Sequence, residues 1–129
     1  MSGGIVGGSP SEQTEDHLTA DETTTSLTYV ASGISVTVSN NSLKGIAVCA
    51  ICSDNTNASQ NVYRINGTDN NMQGMAHNSV ANHNVDMPII GMLTQTGQAV
   101  SLSKHTSIGT MTTLGTAPSI TSMEIFAVG

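Results

Sequence analysis

From Thr25 onward the apolar residues of this chain recur with a period of two, and that spacing rules out most helical architectures. Ile34-Ser35-Val36-Thr37-Val38 alternates apolar and polar without a break, then meets the turn sequence Asn40-Asn41-Ser42. Ser26 to Val30 carries the same alternation through Leu27 and Tyr29. Ile46 to Cys52 is apolar at every position, as a strand covered on both faces should be. Val62-Tyr63-Arg64-Ile65 runs into Asn66-Gly67, a strong hairpin turn signal. Residues 67–84 are polar and read as a long loop or irregular strand, and Met87 to Leu93 is strand-like, with Pro88 restricting it to an edge or a strand start. Gly97-Gln98 turns into Ala99 to Ser103, followed by Ile108 to Leu114 and a closing strand from Ser119 to Val128. About eight short strands at intervals of roughly 8–12 residues, with no amphipathic helix, predict an all-β sandwich.

The material for its core is thin. Among 129 residues there is one Phe, two Tyr and no Trp, against 17 Thr, 16 Ser and 11 Asn. Large rings normally bury about 150–250 Å² each, so the core has to come from Val, Ile, Leu, Met and Ala. A domain of this size buries only about two-thirds of its unfolded surface, and burial against copies of itself would add the stability that small side chains do not. The composition therefore predicts an oligomer. Of the seven Met residues, most fit ordinary core filling, while some can serve as adaptable packing at subunit contacts.

Charge is sparse and unevenly placed. The net charge is -6, and five of the nine acidic residues (Glu12, Glu15, Asp16, Asp21, Glu22) fall in the first 22 positions. Residues 1–24, with Gly3-Gly4, Gly7-Gly8 and Pro10, read as an extended acidic N-terminal arm ahead of a domain at 25–129. Such an arm either orders against a receiving surface or stays a solubilising tail, and Ile5-Val6 is its one apolar pair able to anchor it. Lys44, Arg64 and Lys104 are too few to neutralise a run of phosphates, which argues against nucleic-acid binding. No apolar run reaches the ~18–20 residues of a membrane helix, and the opening residues do not resemble a signal peptide. The expectation is a chain made in the cytoplasm, with no membrane partner.

Few residues suggest chemistry. Cys49 and Cys52 form a Cys-x-x-Cys, but three residues apart on a strand their thiols face opposite sides and suit neither a mutual disulfide nor a shared metal. They read as small strand hydrophobes in a reducing compartment. His77 and His83 bracket a polar loop; His17 and His105 stand alone, and His17 has Glu15 or Asp16 within pairing reach. His105 is the best positioned for a metal on a threefold axis, though exposed histidines are the commoner outcome and no metal is expected. There is no Gly-x-Ser-x-Gly elbow, phosphate-binding Gly loop or His-Glu-x-x-His, and the remaining acids (Asp54, Asp69, Asp86, Glu124) are scattered. No catalytic site, cofactor or small-molecule substrate is expected. The three Asn-x-Ser/Thr matches fit chance in so Asn-, Ser- and Thr-rich a chain.

The order of segments resembles the jelly-roll modules of bacteriophage structural proteins, similar to the tumour-necrosis-factor and C1q heads. Three pieces carry the resemblance across residues 25–129: the apolar strand Ile46 to Cys52 followed by Val62-Tyr63-Arg64-Ile65-Asn66-Gly67-Thr68, a later strand from Gly97 to Ser103, and the closing Ile120-Thr121-Ser122-Met123-Glu124-Ile125. The resemblance implies a single jelly-roll β-sandwich that assembles as a homotrimer and acts as a virion component. The first expectation is a capsid decoration (cement) protein that binds the major capsid protein, with Ile5, Val6 and Pro10 of the arm touching the capsid and His105, Met123 and Phe126 at the trimer interface. The alternative is the receptor-binding tip of a tail fibre or spike, using the polar loop 67–86; the scarcity of rings for stacking on sugar counts against it. A third reading, an extracellular signalling head, fits poorly with unpaired cysteines.

Overall fold

The computed structural model describes residues 11–38, 44–94 and 99–128, and within them the protein is all-β. The expected turns at Asn40-Asn41-Ser42 and Gly97-Gln98 lie outside the described residues. In chain order the strands are β1 (Ser11–His17), β2 (Glu22–Thr24), β3 (Val30–Thr37), β4 (Lys44–Asn55), β5 (Ser59–Asn66) and β6 (Gln73–Asn78). They continue with β7 (Val85–Met92), β8 (Ala99–Thr106), β9 (Met111–Thr113), β10 (Gly115–Thr116), β11 (Ser119–Ile120) and β12 (Ser122–Val128). Every pairing is antiparallel.

Long β4 organises the larger sheet. Along one side it pairs first with β12 (Lys44↔Val128 to Ala50↔Ser122) and then with β9 (Ser53↔Thr113 to Asn55↔Met111). Along the other it pairs with β7, the edge strand, where Pro88 sits opposite Ala50. β1 pairs β12 and β2 pairs β9, so β1 with β2, and β9 with β12, each form one interrupted line of chain. The interruption in the second line is the small β10–β11 hairpin. The smaller sheet has the order β3-β8-β5-β6. Counted as lines of chain, the larger sheet runs first, eighth, third, sixth, and the smaller runs second, seventh, fourth, fifth.

The acidic stretch already belongs to the sandwich at Ser11, the first described residue, ahead of the 24/25 boundary drawn from charge. Leu18 is buried in the core, Asp16 Oδ2 accepts the Ser35 N–H at 3.1 Å, and Asp21 Oδ1 accepts Gly115 N–H (2.8 Å) and Thr116 Oγ1 (3.2 Å). These carboxylates tie β1 to β3 and cap the β10–β11 hairpin. Two further differences from the sequence reading concern the middle of the chain. Ser26 to Tyr29 is not a strand, and Leu27 is left exposed. Gln73–Asn78 within the polar stretch is a regular strand, paired with β5 after the turn in which Gly67 takes φ +95°. The β3–β8 register shifts between Ala31 and Ser35, where Gly33 at φ +86° supplies the left-handed backbone.

The interior has two chemically distinct ends. At one, Ile34, Val36, Val38, Ala47, Ile65, Val100, Leu102, Ile125 and Ala127 form a close apolar core. At the other, Ser53, Asn55, Asn61, Asn78, Lys104, Thr106 and Thr113 are buried between the sheets.

Candidate functional site

Because β4 is apolar at successive positions, it supplies both faces of its sheet. Ala47, Cys49 and Ile51 point into the core, whereas Ile46, Val48, Ala50 and Cys52 point out. The pairings then build an outward apolar lane. Phe126, Ile46 and Met92 lie side by side across three strands, Glu124, Val48 and Ile90 form the next row, and Ser122, Ala50 and Pro88 the one after. Ile90 and Met92 are each more than half exposed, and Phe126 is 39% exposed. A hollow of about 310 Å³ deepens the lane at its far end, lined by Ala50, Ile51, Cys52, Asp86, Met87 and Pro88. A contiguous exposed apolar surface of this kind on a folded protomer is a candidate contact surface. Polar groups border it: Gln13 Nε2 donates to Glu124 Oε2 at 2.7 Å, Lys44 stands at one end and Asp86 at the other.

The outer face of the smaller sheet differs. Tyr29 packs edge-on against His105, with ring centres 4.6 Å apart, and the Arg64 guanidinium lies 3.9 Å over the Tyr29 ring. Arg64 Nε and His105 Nδ1 are both buried there without a hydrogen-bond partner. Arg64 reaches this ring because β5 and β8 place Val62 opposite His105 and Arg64 opposite Ser103, one row along.

These placements separate the residues proposed for subunit contact. Phe126 lies on the apolar lane and His105 on the opposite outer face. Met123 is corrected: it is fully buried in the protomer's own core, because its position in β12 opposite Cys49 turns it inward. Ile5, Val6 and Pro10 lie outside the described residues. Of the two exposed β7 residues on the lane, sequence reasoning offered Met92 only as one of six methionines (with Met72, Met75, Met87, Met111 and Met123) for packing at subunit contacts, and did not single out Ile90. Their signal was available in Pro88, which marks an edge strand, and in β4's unbroken apolar run, which leaves the β7 neighbours of Ile46 and Val48 on an outward face.

The cysteines diverge as their spacing predicts. Cys49 faces the core, where burial pushes its thiol up to about 12. Cys52 faces out, and its thiol is raised by burial first and by the Asp86 charge second. Both are free, and neither is held as a reactive thiolate. His17 Nδ1 lies 3.1 Å from Glu15 Oε2, the pairing its position suggested. Among the described residues no group of three His, Cys, Asp or Glu side chains converges as metal ligands.

Two titratable groups of the interior, Tyr63 and Lys104, are hydrogen-bonded there. Tyr63 hydroxyl donates to Ser53 Oγ at 2.8 Å and lies 2.8 Å from Thr113 Oγ1, while burial pushes its pKa up to about 12. Lys104 Nζ donates to Thr113 Oγ1 (3.2 Å) and to the Glu22 carbonyl (3.3 Å). Burial lowers its pKa, and the nearby Glu22 charge partly opposes that.

The described residues define an antiparallel β-sandwich with an apolar sheet face that none of them covers. No protein-family model matches the chain, and no curated protein is significantly similar to it.

Proposed function

We propose that the chain is a virion structural protein, a homotrimeric jelly-roll decoration protein that binds the major capsid protein at the surface of a phage head and stabilises it. The strand order supports the jelly-roll reading: alternate lines of chain fall into two four-line sheets, first-eighth-third-sixth against second-seventh-fourth-fifth. The observation that carries the role is the outward lane of Phe126, Ile46, Val48, Ile90 and Met92, a surface suited to protein and poor in groups that would orient a small substrate. The sparse charge fits a protein that binds protein. Residues 1–10, with Ile5, Val6 and Pro10, are then the capsid-contacting arm.

The test is electron microscopy of heads lacking decoration protein after incubation with the purified full chain. Regular added density on the head surface is the expected result, and density on the tail alone overturns the reading. Deleting residues 2–24 is uninformative, because it removes β1, β2 and the buried Leu18. Deleting residues 2–10 leaves every described strand in place, and is expected to lower head occupancy at least tenfold by removing one contact from each of three linked subunits.

A further inference from the structure

We infer that the apolar face of β12, β4 and β7 pairs with the same face of a second copy of this chain, about a twofold axis lying between the two sheets and across the strands. Under that operation the apolar rows are complementary in shape and the two ends of the lane are complementary in charge. Its rows follow the strand registers: Lys44 and Val128 at one end, then Phe126-Ile46-Met92, then Glu124-Val48-Ile90, then Ser122-Ala50-Pro88, and finally Cys52-Asp86. With the axis over the Val48 row, each row of one copy covers the row equally far beyond the centre of the other.

Three consequences follow for contacts. The bulky row of Phe126, Ile46 and Met92 lies over the small row of Ser122, Ala50 and Pro88, next to the hollow of about 310 Å³. Lys44, exposed at the start of β4, lies over Cys52, one strand from the exposed Asp86 of the facing copy. The same pair recurs on the other side of the axis, so one Lys and one Asp per chain make two crossed ion pairs, the reciprocity of an isologous contact. The centre of the lane, Val48 and Ile90, meets its own copy and carries no charge. The unfavourable contacts are Glu124 and its β1 neighbour Glu15, each against its own copy at the β12 margin, where Gln13 already donates to the Glu124 carboxylate.

A twofold contact cannot by itself close a trimer. It takes the lane that the decoration reading offers to the capsid, leaving the capsid contact of a paired protein to residues 1–10, and it is separate from the trimer contact: together they give six copies, whereas the face alone gives two. The measurement is the mass of the full chain in solution by light scattering and sedimentation, with circular dichroism as a check on folding. Two or six copies are expected, and Ile90→Glu should halve the number. Six copies falling to three supports both readings; two falling to one supports the pairing and overturns the trimer. A wild-type mass of one or three copies overturns the pairing and leaves the face to another partner.

The exposed charges keep the test decisive if Ile90→Glu fails to fold. Lys44→Glu and Asp86→Lys should each weaken the pairing by on the order of tenfold over the two symmetric contacts, and the double variant should restore it. Glu124→Gln should tighten it several-fold by removing its like-charge contact. Equal weakening in the double variant and in the singles overturns the crossed geometry.

Discussion

The two ends of the sandwich interior are built from the same strands and are held together by different physics. At the end where β3, β8 and β5 bring Val36, Val100, Leu102 and Ile65 against Ala47 and Ile125, stability comes from excluding water from apolar surface. At the other end the same strands turn Asn61, Tyr63, Lys104 and Thr106 inward against Ser53, Asn55 and Thr113. There the buried polar groups hydrogen-bond to one another, beside the buried Met111 and Ala76 that pair with Asn55 and Asn61. Asn61 Nδ2 donates to Ser53 Oγ (2.7 Å) and to the Asp54 carbonyl (3.0 Å), while its Oδ1 accepts from Asn55 Nδ2 (2.9 Å) and Thr106 Oγ1 (3.2 Å). Asn55 also donates to Thr106 Oγ1 at 2.9 Å and to the Ile108 carbonyl at 3.1 Å. A chain short of large apolar side chains has thus filled part of its interior with a hydrogen-bonded polar network, which is tolerable because its members satisfy one another. The apolar end should tolerate repacking poorly in volume, and the polar end poorly in chemistry.

The largest effect expected from breaking this division is at the apolar end. Leu102 is almost completely buried, and Leu102→Ala removes its side chain from a core with few large residues to collapse into the space. A loss of about 2–5 kcal/mol is expected in urea denaturation, with no change in the shape of the pH–stability curve. A loss below about 1 kcal/mol would show that this end is loosely packed.

The apolar end was also the part most legible from the residues alone. Ile34, Val36 and Val38 alternate, β4 is apolar on both sides, Pro88 does fall on an edge strand, and each of these patterns reports burial directly. The polar end was illegible for the same physical reason that it is unusual. Inward positions there hold Asn, Lys and Thr, so the periodicity that marks a strand vanishes although the strand continues. β6 turns Ala76 and Asn78 inward and reads as loop. β1 turns Thr14 and Asp16 toward partly buried positions and reads as an arm, because hydropathy cannot register a carboxylate whose role is to accept a backbone N–H across the sandwich edge. The outward lane lies between these cases: the apolar run of β4 shows that a second cover is needed, but only the pairing with β7 and β12 adds Ile90, Met92 and Phe126 to it.

The next largest effect lies at the polar end. Tyr63→Phe keeps the ring and deletes the hydroxyl between Ser53 and Thr113, leaving both with one partner fewer. A cost of about 1–2 kcal/mol at neutral pH is expected. Its signature is at high pH. A phenol raised to about 12 in the folded protein binds a proton that the unfolded chain releases near 10, so wild type loses stability as pH rises through that window. The loss attributable to Tyr63 is about 2–3 kcal/mol at its limit. Cys49, also raised to about 12, contributes in the same direction from its own ordinary value of 9.0 upward. Tyr63→Phe should therefore flatten the alkaline fall without abolishing it, and an unchanged fall would remove Tyr63 as a cause.

The smallest net effect at neutral pH, and the most discriminating, is expected from Lys104→Met. The substitution keeps most of the buried stem, removes a cation that burial disfavours, and leaves Thr113 Oγ1 and the Glu22 carbonyl without that donor. The gain and the loss oppose each other, so stability at pH 7 should change by less than about 1 kcal/mol. The pH dependence separates the two contributions. Because the folded pKa lies below the ordinary lysine value of 10.5, the unfolded chain holds more protons between those two values. The contribution of Lys104 to stability then rises with pH across that window, opposite in sign to the Cys49 fall from 9.0 upward and the Tyr63 fall from about 10. In Lys104→Met that rise disappears and only the alkaline fall remains. Parallel curves for wild type and variant all the way up to the ordinary lysine value of 10.5 would mean that Lys104 stays as freely charged inside the sandwich as in water, and that the polar end is open to solvent.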